Sequence, residues 1–220
     1  MKVCLLKALP IIVLALLFTG MVSATTFAAS PDLATVSASR TDVVTFLDAN
    51  LESAIREAIA KPTGDIYRAD LEALTELSAL NRGIADLTGL EYCVNLYMLS
   101  LGSNQISDMT AVSALTSLEE LSLWGNQISD ITPVSALTNL SYLSLNENQI
   151  SDMTPVSALT NLQELNLAVN QISDMTAVST LTNLLYLSLA DNQISNMTAV
   201  STLTNLLYLS LADNQISNMT

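Results

Sequence analysis

Leucine and isoleucine recur along this chain at a fixed spacing from about residue 71 onward. The tetrapeptide NQIS marks that spacing, because it begins at six asparagines 22 residues apart: Asn104, Asn126, Asn148, Asn170, Asn192 and Asn214. The units are 93–114, 115–136, 137–158, 159–180, 181–202 and an incomplete 203–220, and a degenerate unit, 71–92, precedes them. A constant period of this length predicts a solenoid of stacked units.

The order of residue types within one unit, LxxLxxLxLxxNxI, predicts its local structure. Alternation across 143–145 points two leucines inward and a serine outward, which predicts a short strand. The Asn148 amide both donates and accepts, so this ladder of asparagines is predicted to satisfy backbone groups where the chain leaves the strand. Ile150, Met153 and Val156 return the chain to the core. Because one unit cannot bury its apolar edge alone, stacked units are predicted to share one core and a parallel sheet.

These units resemble the 22-residue bacterial leucine-rich repeats of internalin-like surface proteins, which share the run NxIxDIxPL. Residues 128–134, ISDITPV, match that run with valine in place of the last leucine. Residues 41–77 resemble the helical cap that precedes such repeats, and the two similarities together cover about 42–220. The resemblance implies an α/β repeat solenoid: a right-handed leucine-rich repeat with a parallel sheet on the concave face, short helical turns on the convex side and a helical N-terminal cap. It also implies that the concave sheet binds a protein or another macromolecule.

The segment 42–70 is predicted to form that cap. Asn50 is predicted to N-cap a helix that ends at 62–64, and Asp70 to cap a second short helix. The apolar stripe of the first helix is Leu51, Ile55 and Ile59. The basic side chains here are expected to be solvated surface: Arg56, Lys61 and Arg68.

The segment before the cap has the pattern of an export signal. Lys2 and Lys7 precede an apolar run, and small residues at 22–24 offer a cleavage point. Residues 1–24 are therefore predicted to be a signal peptide, with an uncleaved membrane anchor as the alternative, and 25–41 a flexible linker. We expect an exported bacterial protein, extracellular or on the cell surface, with no other transmembrane segment.

The composition excludes several classes of function. The chain has 21 acidic and 7 basic residues, no histidine and two cysteines, for a net charge of −14. Loss of Lys2 and Lys7 with the signal peptide would make this −16, that is −21 + 5. Such a charge disfavours nucleic acid as a partner, and the absence of histidine removes the usual catalytic bases and His-ligated metal sites. We expect neither enzymatic activity nor a metal or cofactor, and a buried Cys93.

A second column of polar residues follows each asparagine. Regularly spaced carboxylates suggest a calcium site, whereas capping of the short helical turn that follows needs no charge. Asparagine replaces aspartate in the last two units, so capping is favoured. The column comprises Asp108, Asp130, Asp152, Asp174, Asn196 and Asn218.

The outward positions of the strands carry large and charged side chains. Aromatic residues exposed on a rigid sheet are typical anchors of a protein interface, although tyrosine and serine also occur on ordinary strand surfaces. The candidate binding residues are Glu120, Trp124, Tyr142, Glu147, Glu164, Tyr186, Asp191 and Tyr208. Such a negative, aromatic face favours a basic or polar partner.

The leading hypothesis is an exported module that binds a protein through this face. One alternative is a spacer or targeting arm for an enzyme or wall-anchor domain encoded downstream, and another is a glycan-binding module. Residues 203–220 repeat 181–198 without a difference and stop four residues short of a full unit. We therefore expect the N-terminal part of a longer protein, which the DNA sequence beyond codon 220 would test.

Overall fold

The computed structural model describes residues 42–217. The predicted signal peptide and linker, and Asn218, lie outside the described residues. Within residues 42–217, no helix combines the length and apolar character needed to cross a membrane.

The cap contains two helices, α1 at Ala49–Ala58 and α2 at Arg68–Glu72. Asp48, not Asn50, is the N-cap of α1, since its Oδ1 accepts the N–H groups of Asn50 (2.8 Å) and Leu51 (3.1 Å). Its other oxygen, Oδ2, accepts the N–H groups of Ala85 (2.7 Å) and Asp86 (3.2 Å). These two bonds to the first repeat explain why Asp48 holds the capping position.

Two further boundaries of the cap differ from the expectation. Helix α1 ends at Ala58, and Ala60 then takes a positive φ of 52°, so the chain turns before it reaches Pro62. The N-cap of α2 is Tyr67, whose N–H donates to Asp70 Oδ2 at 2.8 Å. Asp70 therefore caps from inside the first turn of α2, where a carboxylate reaches back to the N-cap backbone.

Within residues 42–217, seven short strands form one parallel sheet in chain order. They are β1 Glu76–Ser78, β2 Met98–Ser100, β3 Glu120–Ser122, β4 Tyr142–Ser144, β5 Glu164–Asn166, β6 Tyr186–Ser188 and β7 Tyr208–Ser210. In every pair a residue lies opposite the residue 22 positions later, as Leu121 lies opposite Leu143. The sequence period and the register are thus the same number, and the parallel sheet is confirmed.

The return side of each coil is a short 3₁₀ helix. These helices are Leu90–Tyr92, Thr110–Ala114, Thr132–Ala136, Thr154–Ala158, Thr176–Thr180 and Thr198–Thr202. With strands on one side and 3₁₀ helices on the other, the chain is a right-handed α/β leucine-rich repeat solenoid whose sheet lines the concave face.

The core fills the space between strands and 3₁₀ helices. The inward residues of the central units, such as Leu143, Ile150 and Val156, are fully buried. Met109, Met153 and Met175 are also buried, and Met197 in the last complete unit is partly buried against the core. Cys93 is fully buried as expected, and its burial, together with the charge of Glu91, raises the pKa of the thiol to about 12.

The residue after each strand exit adopts the left-handed backbone region, with φ between 53° and 63° in all seven units. This positive-φ column comprises Asn81, Ser103, Gly125, Glu147, Val169, Asp191 and Asp213. Glycine, asparagine and aspartate tolerate this conformation, whereas a β-branched residue is strained in it. Val169, with φ of 57°, is therefore the most strained member of the column.

We expect Val169→Gly to raise the free energy of unfolding by about 1 kcal/mol, because relief of the left-handed strain exceeds the added chain entropy. Val169→Ala keeps the Cβ and should give a smaller gain. Guanidinium unfolding of the three proteins measures their free energies of unfolding, which we expect to be highest for Val169→Gly, intermediate for Val169→Ala and lowest for the wild type. A glycine variant less stable than the wild type would contradict this explanation.

Candidate protein-binding face

Five of the eight candidate binding residues form one line across the sheet. The strand register places Glu120 opposite Tyr142, Tyr142 opposite Glu164, and Glu164 opposite Tyr186. Tyr208 on β7 ends the line. Because neighbouring strands lie about 4.8 Å apart, carboxylates and rings alternate at that spacing from β3 to β6. We call Glu120, Tyr142, Glu164, Tyr186 and Tyr208 the tyrosine line.

Trp124 lies apart from the tyrosine line, four residues beyond Glu120 and so about 13 Å further in the strand direction. Its indole covers the backbone of Gly102 in the preceding unit, where a Cβ would lie 2.2 Å from the indole Nε1. The absence of a side chain at Gly102 thus makes room for the ring, and Trp124 is only partly exposed.

We expect Gly102→Ala to lift the Trp124 ring away from the sheet, because the new methyl group occupies its place. Trp124 is the only tryptophan in the chain, so its fluorescence emission should shift to longer wavelength. The matched control is Ala190→Ser, a small change at the equivalent position of a later unit. The residue 22 positions further on is Ala212 there, whereas it is Trp124 for Gly102. An unchanged emission maximum in Gly102→Ala would show that the ring does not depend on this contact.

Glu147 and Asp191 belong to the positive-φ column, and both are exposed at the strand exits. The structure therefore separates the eight candidates into the tyrosine line, Trp124 and two exit carboxylates. These groups share one face but do not converge on one small site.

The end of the sheet nearest β7 is aromatic and apolar. The rings of Tyr186 and Tyr208 stack with centroids 4.5 Å apart and planes 3° from parallel. Burial, followed by the charge of Tyr208, raises the pKa of the Tyr186 hydroxyl. Leu185 and Leu207 lie exposed beside these rings, at 37% and 84% of full exposure. The sequence signal for this exposure was the leucine pair in LTNLL. The first leucine of the pair faces inward, so the second one cannot also face the core.

All four basic side chains in the described region form ion pairs outside the sheet face. The pairs are Arg56–Glu52 at 2.8 Å, Lys61–Asp70 at 2.6 Å, Arg68–Glu72 at 2.7 Å and Arg82–Glu57 at 2.7 Å. Arg56, Lys61 and Arg68 are therefore paired rather than freely solvated, since each cap helix presents a carboxylate within reach. Among residues 42–217, no cation is left to neutralise the carboxylates of the sheet.

The asparagine ladder binds each unit to the one before it. Asn126 Oδ1 accepts the N–H of Ile106 at 3.0 Å, while Nδ2 donates to the carbonyls of Leu101 (3.1 Å) and Leu123 (2.9 Å). The same bond to an isoleucine or arginine N–H of the preceding unit recurs at Asn104, Asn148, Asn170, Asn192 and Asn214.

A second ladder of asparagines, which sequence reasoning missed, runs before the strands. Asn139 Nδ2 donates to the Thr116 carbonyl at 2.9 Å. Asn95, Asn161, Asn183 and Asn205 donate in the same way to the unit before them. The recurrent LTN triplet was its sequence signal, and these side chains are exposed.

The column of aspartates lies one residue before the N-cap of each 3₁₀ helix from Thr110–Ala114 onward, a position that is held by a methionine or by Ile131, so its members are not the N-caps that the sequence predicts. Asp130 Oδ1 accepts the N–H of Thr132 at 2.8 Å, and Asp108, Asp152, Asp174 and Asn196 make the same bond two residues on. The threonine hydroxyl and backbone N–H lower the pKa of each of the four aspartates. Across residues 42–217, no three acidic or cysteine side chains come together as a metal site.

Each unit thus consists of a short strand, an asparagine turn and a 3₁₀ helix, which together define a leucine-rich repeat. The chain belongs to the leucine-rich repeat family. The family model described as leucine-rich repeats in two copies matches residues 116–158, 138–181 and 160–202. A protein-interaction module is the function that this family supports.

Within that family the repeats are internalin-like. An internalin, InlF, from Listeria monocytogenes is 37% identical with a TM-score of 0.77, and the match covers 79% of this chain and 52% of that one. The chain therefore spans about half the length of that internalin.

Two further solved structures are similar. A leucine-rich repeat protein of Leptospira interrogans is 31% identical, with a TM-score of 0.61 and coverage of 68% of this chain and 40% of that one. The ectodomain of the plant receptor kinase GASSHO1/SCHENGEN3 from Arabidopsis thaliana, solved in complex with CASPARIAN STRIP INTEGRITY FACTOR 2, is 26% identical. Its TM-score is 0.61, and the match covers 68% of this chain and 19% of that one. No curated protein matches at a significant level.

Proposed function

We propose that this chain is an exported module that binds a partner protein through the concave face of its sheet. The observation that carries the proposal is the tyrosine line, which presents aromatic rings and carboxylates in register on a rigid, continuous surface. Tyrosine supplies large contact area at low entropic cost, which is why it is common at protein interfaces.

The charge of the face specifies the chemistry of the partner. No basic side chain of the described region pairs with the carboxylates of Glu120 and Glu164. All four basic side chains of that region are paired within the cap or between the cap and the first repeat unit. A partner with a basic or polar surface is favoured, since complementary charge steers encounter and selects against acidic proteins.

Site-specific photo-crosslinking tests the binding face. We expect p-benzoylphenylalanine at Tyr142 to crosslink a partner polypeptide in the native cell or its surroundings. The same group at Ala136, which is exposed on the convex 3₁₀ helix, serves as the matched control. Crosslinks from Ala136 alone would place the interface elsewhere, and a carbohydrate adduct at Tyr142 would favour the glycan-binding alternative.

Export is proposed from the pattern of residues 1–24, which precede the described region. We expect the mature protein to begin at Thr25 and to be found outside the cytoplasm, because 22–24 end in small residues typical of signal-peptide cleavage. Intact-mass measurement of the exported protein checks the new N-terminus, and Ala24→Arg should block the cleavage. Retention of the full chain in the cytoplasm would refute export.

A further inference from the structure

At one outward position of the sheet, glutamate recurs on every second strand from β1 to β5. Glutamates stand on β1, β3 and β5 as Glu76, Glu120 and Glu164, and a methionine and two tyrosines stand between and after them on β2, β4 and β6. The Tyr97 hydroxyl already donates to Glu76. Glu120 and Glu164 are exposed and flank the partly buried ring of Tyr142.

The spacing of these two carboxylates selects the shape of a cationic ligand. Two strand intervals of about 4.8 Å separate their positions by about 9.6 Å. A polyproline II segment rises about 3.1 Å per residue with three residues per turn, so every third side chain lies on one side at intervals of about 9.3 Å. A fully extended segment instead repeats a face about every 6.8 Å, which matches neither one nor two strand intervals.

The ring between the carboxylates suits the same ligand. Tyr142 presents an aromatic surface at the midpoint between the two charges, where the residues between the cations would pack. A lysine or arginine on either side approaches both a carboxylate and the edge of an aromatic face, and Tyr186 extends this surface beyond Glu164. Exit carboxylates such as Glu147 add to the negative field without a described cation to cancel it.

We propose that the sheet face over β3–β5 binds a polyproline II segment of a partner protein that carries lysine or arginine at every third position. Successive cations pair with Glu120 and Glu164, and the intervening residues pack on Tyr142. This inference rests on the proposed function, because it assigns a ligand to the same face.

Synthetic peptides test the spacing with the full chain. One fluorescein-labelled peptide contains PPKPPKPPKPP, and a second has the same composition with its three lysines contiguous. At 0.15 M salt we expect the spaced peptide to bind about tenfold more tightly, because each exposed charge pair is worth a factor of about two to five. An alanine-rich helical peptide with lysines seven residues apart provides a second shape with a similar spacing.

Variants of the face test the residues. Glu120→Gln and Glu164→Gln should each weaken the spaced peptide about threefold, and the double variant should abolish the preference for spacing. Asp65→Asn removes the same charge from an exposed position on the cap and should leave binding unchanged. Tyr142→Ala should weaken binding, whereas Tyr142→Phe should preserve it because the ring does the packing.

Equal binding of the two proline-rich peptides would overturn the inference, and so would tighter binding of the helical peptide or an unchanged affinity in Glu164→Gln. The failure of every peptide, combined with a protein crosslink from Tyr142, would refute the inference and leave the proposed function standing. The loss of the Tyr142 crosslink itself would refute the proposed function.

Discussion

Asn126→Ala is expected to lower the free energy of unfolding by about 2–3 kcal/mol, because it leaves the buried N–H of Ile106 without an acceptor. It also removes one of the two amide donors to each of the Leu101 and Leu123 carbonyls, which keep only their bonds from the neighbouring ladder asparagines. The residue is 8% exposed, so water replaces these bonds only in part. Guanidinium unfolding followed by circular dichroism measures the change. Since the bonds join two units, the transition should also broaden as coupling between the units on either side weakens.

The second asparagine ladder offers a matched control for this prediction. Asn139→Ala makes the same chemical change in the neighbouring unit but removes one exposed bond, to the Thr116 carbonyl. It should cost about 0.5–1 kcal/mol, the ordinary net value of a hydrogen bond that water can replace. Equal losses in Asn126→Ala and Asn139→Ala would show that burial of the ladder does not determine its contribution.

Asp48→Ala is expected to cost about 2 kcal/mol, because it removes both an N-cap and a charge-assisted link between the cap and the first repeat. One carboxylate oxygen holds the start of α1, and the other holds the N–H groups of Ala85 and Asp86. Asp48→Asn separates these roles, since its amide oxygen can still cap α1 while its NH₂ group cannot accept from the repeat. We expect an intermediate loss in Asp48→Asn.

The same carboxylate predicts a pH dependence. Burial raises the pKa of Asp48, but the backbone N–H groups of Ala85, Leu51, Asp86 and Asn50 lower it more, so the pKa in the fold lies below its ordinary value. A depressed pKa stabilises the fold above the unfolded-state pKa of about 3.9, and this contribution is lost as pH falls through the folded value. The stability difference between wild type and Asp48→Asn should therefore shrink below pH of about 4. A constant difference at lower pH would contradict a charge-dependent role.

The leucine spacing alone predicted the solenoid, because burial at every inward position leaves one register for a strand of three residues. Leu121 can lie opposite Leu143 only if the units stack without a slip. The family resemblance added the handedness and the helical cap. Boundaries within the cap were less predictable, since Asp48 and Asn50 are equally good caps and only tertiary bonds to 85–86 distinguish them.

The candidate binding face was predictable as a set of outward columns and not as a set of contacts. Nothing in the sequence indicates that the Trp124 ring covers Gly102, because the two residues are 22 positions apart and their relation depends on the register. Leu185 and Leu207 were not among the candidate residues, although both occupy variable positions of the pattern LxxLxxLxLxxNxI, which do not face the core. The ion pairs of the four basic side chains in residues 42–217 depend on the fold of the cap, and composition does not predict that fold.

The constant register also has a kinetic consequence. Each strand pairs only with the strands of adjacent units, 22 residues away, so no step in assembling the sheet requires closure of a loop longer than one unit. Loop-closure entropy then does not grow with chain length, and the mean sequence separation of contacts stays fixed as units are added. Folding can start at any well-packed pair of units and extend in either direction. A duplication of one unit, such as the one that the identity between 181–198 and 203–220 indicates, lengthens the sheet by one strand without slowing its formation.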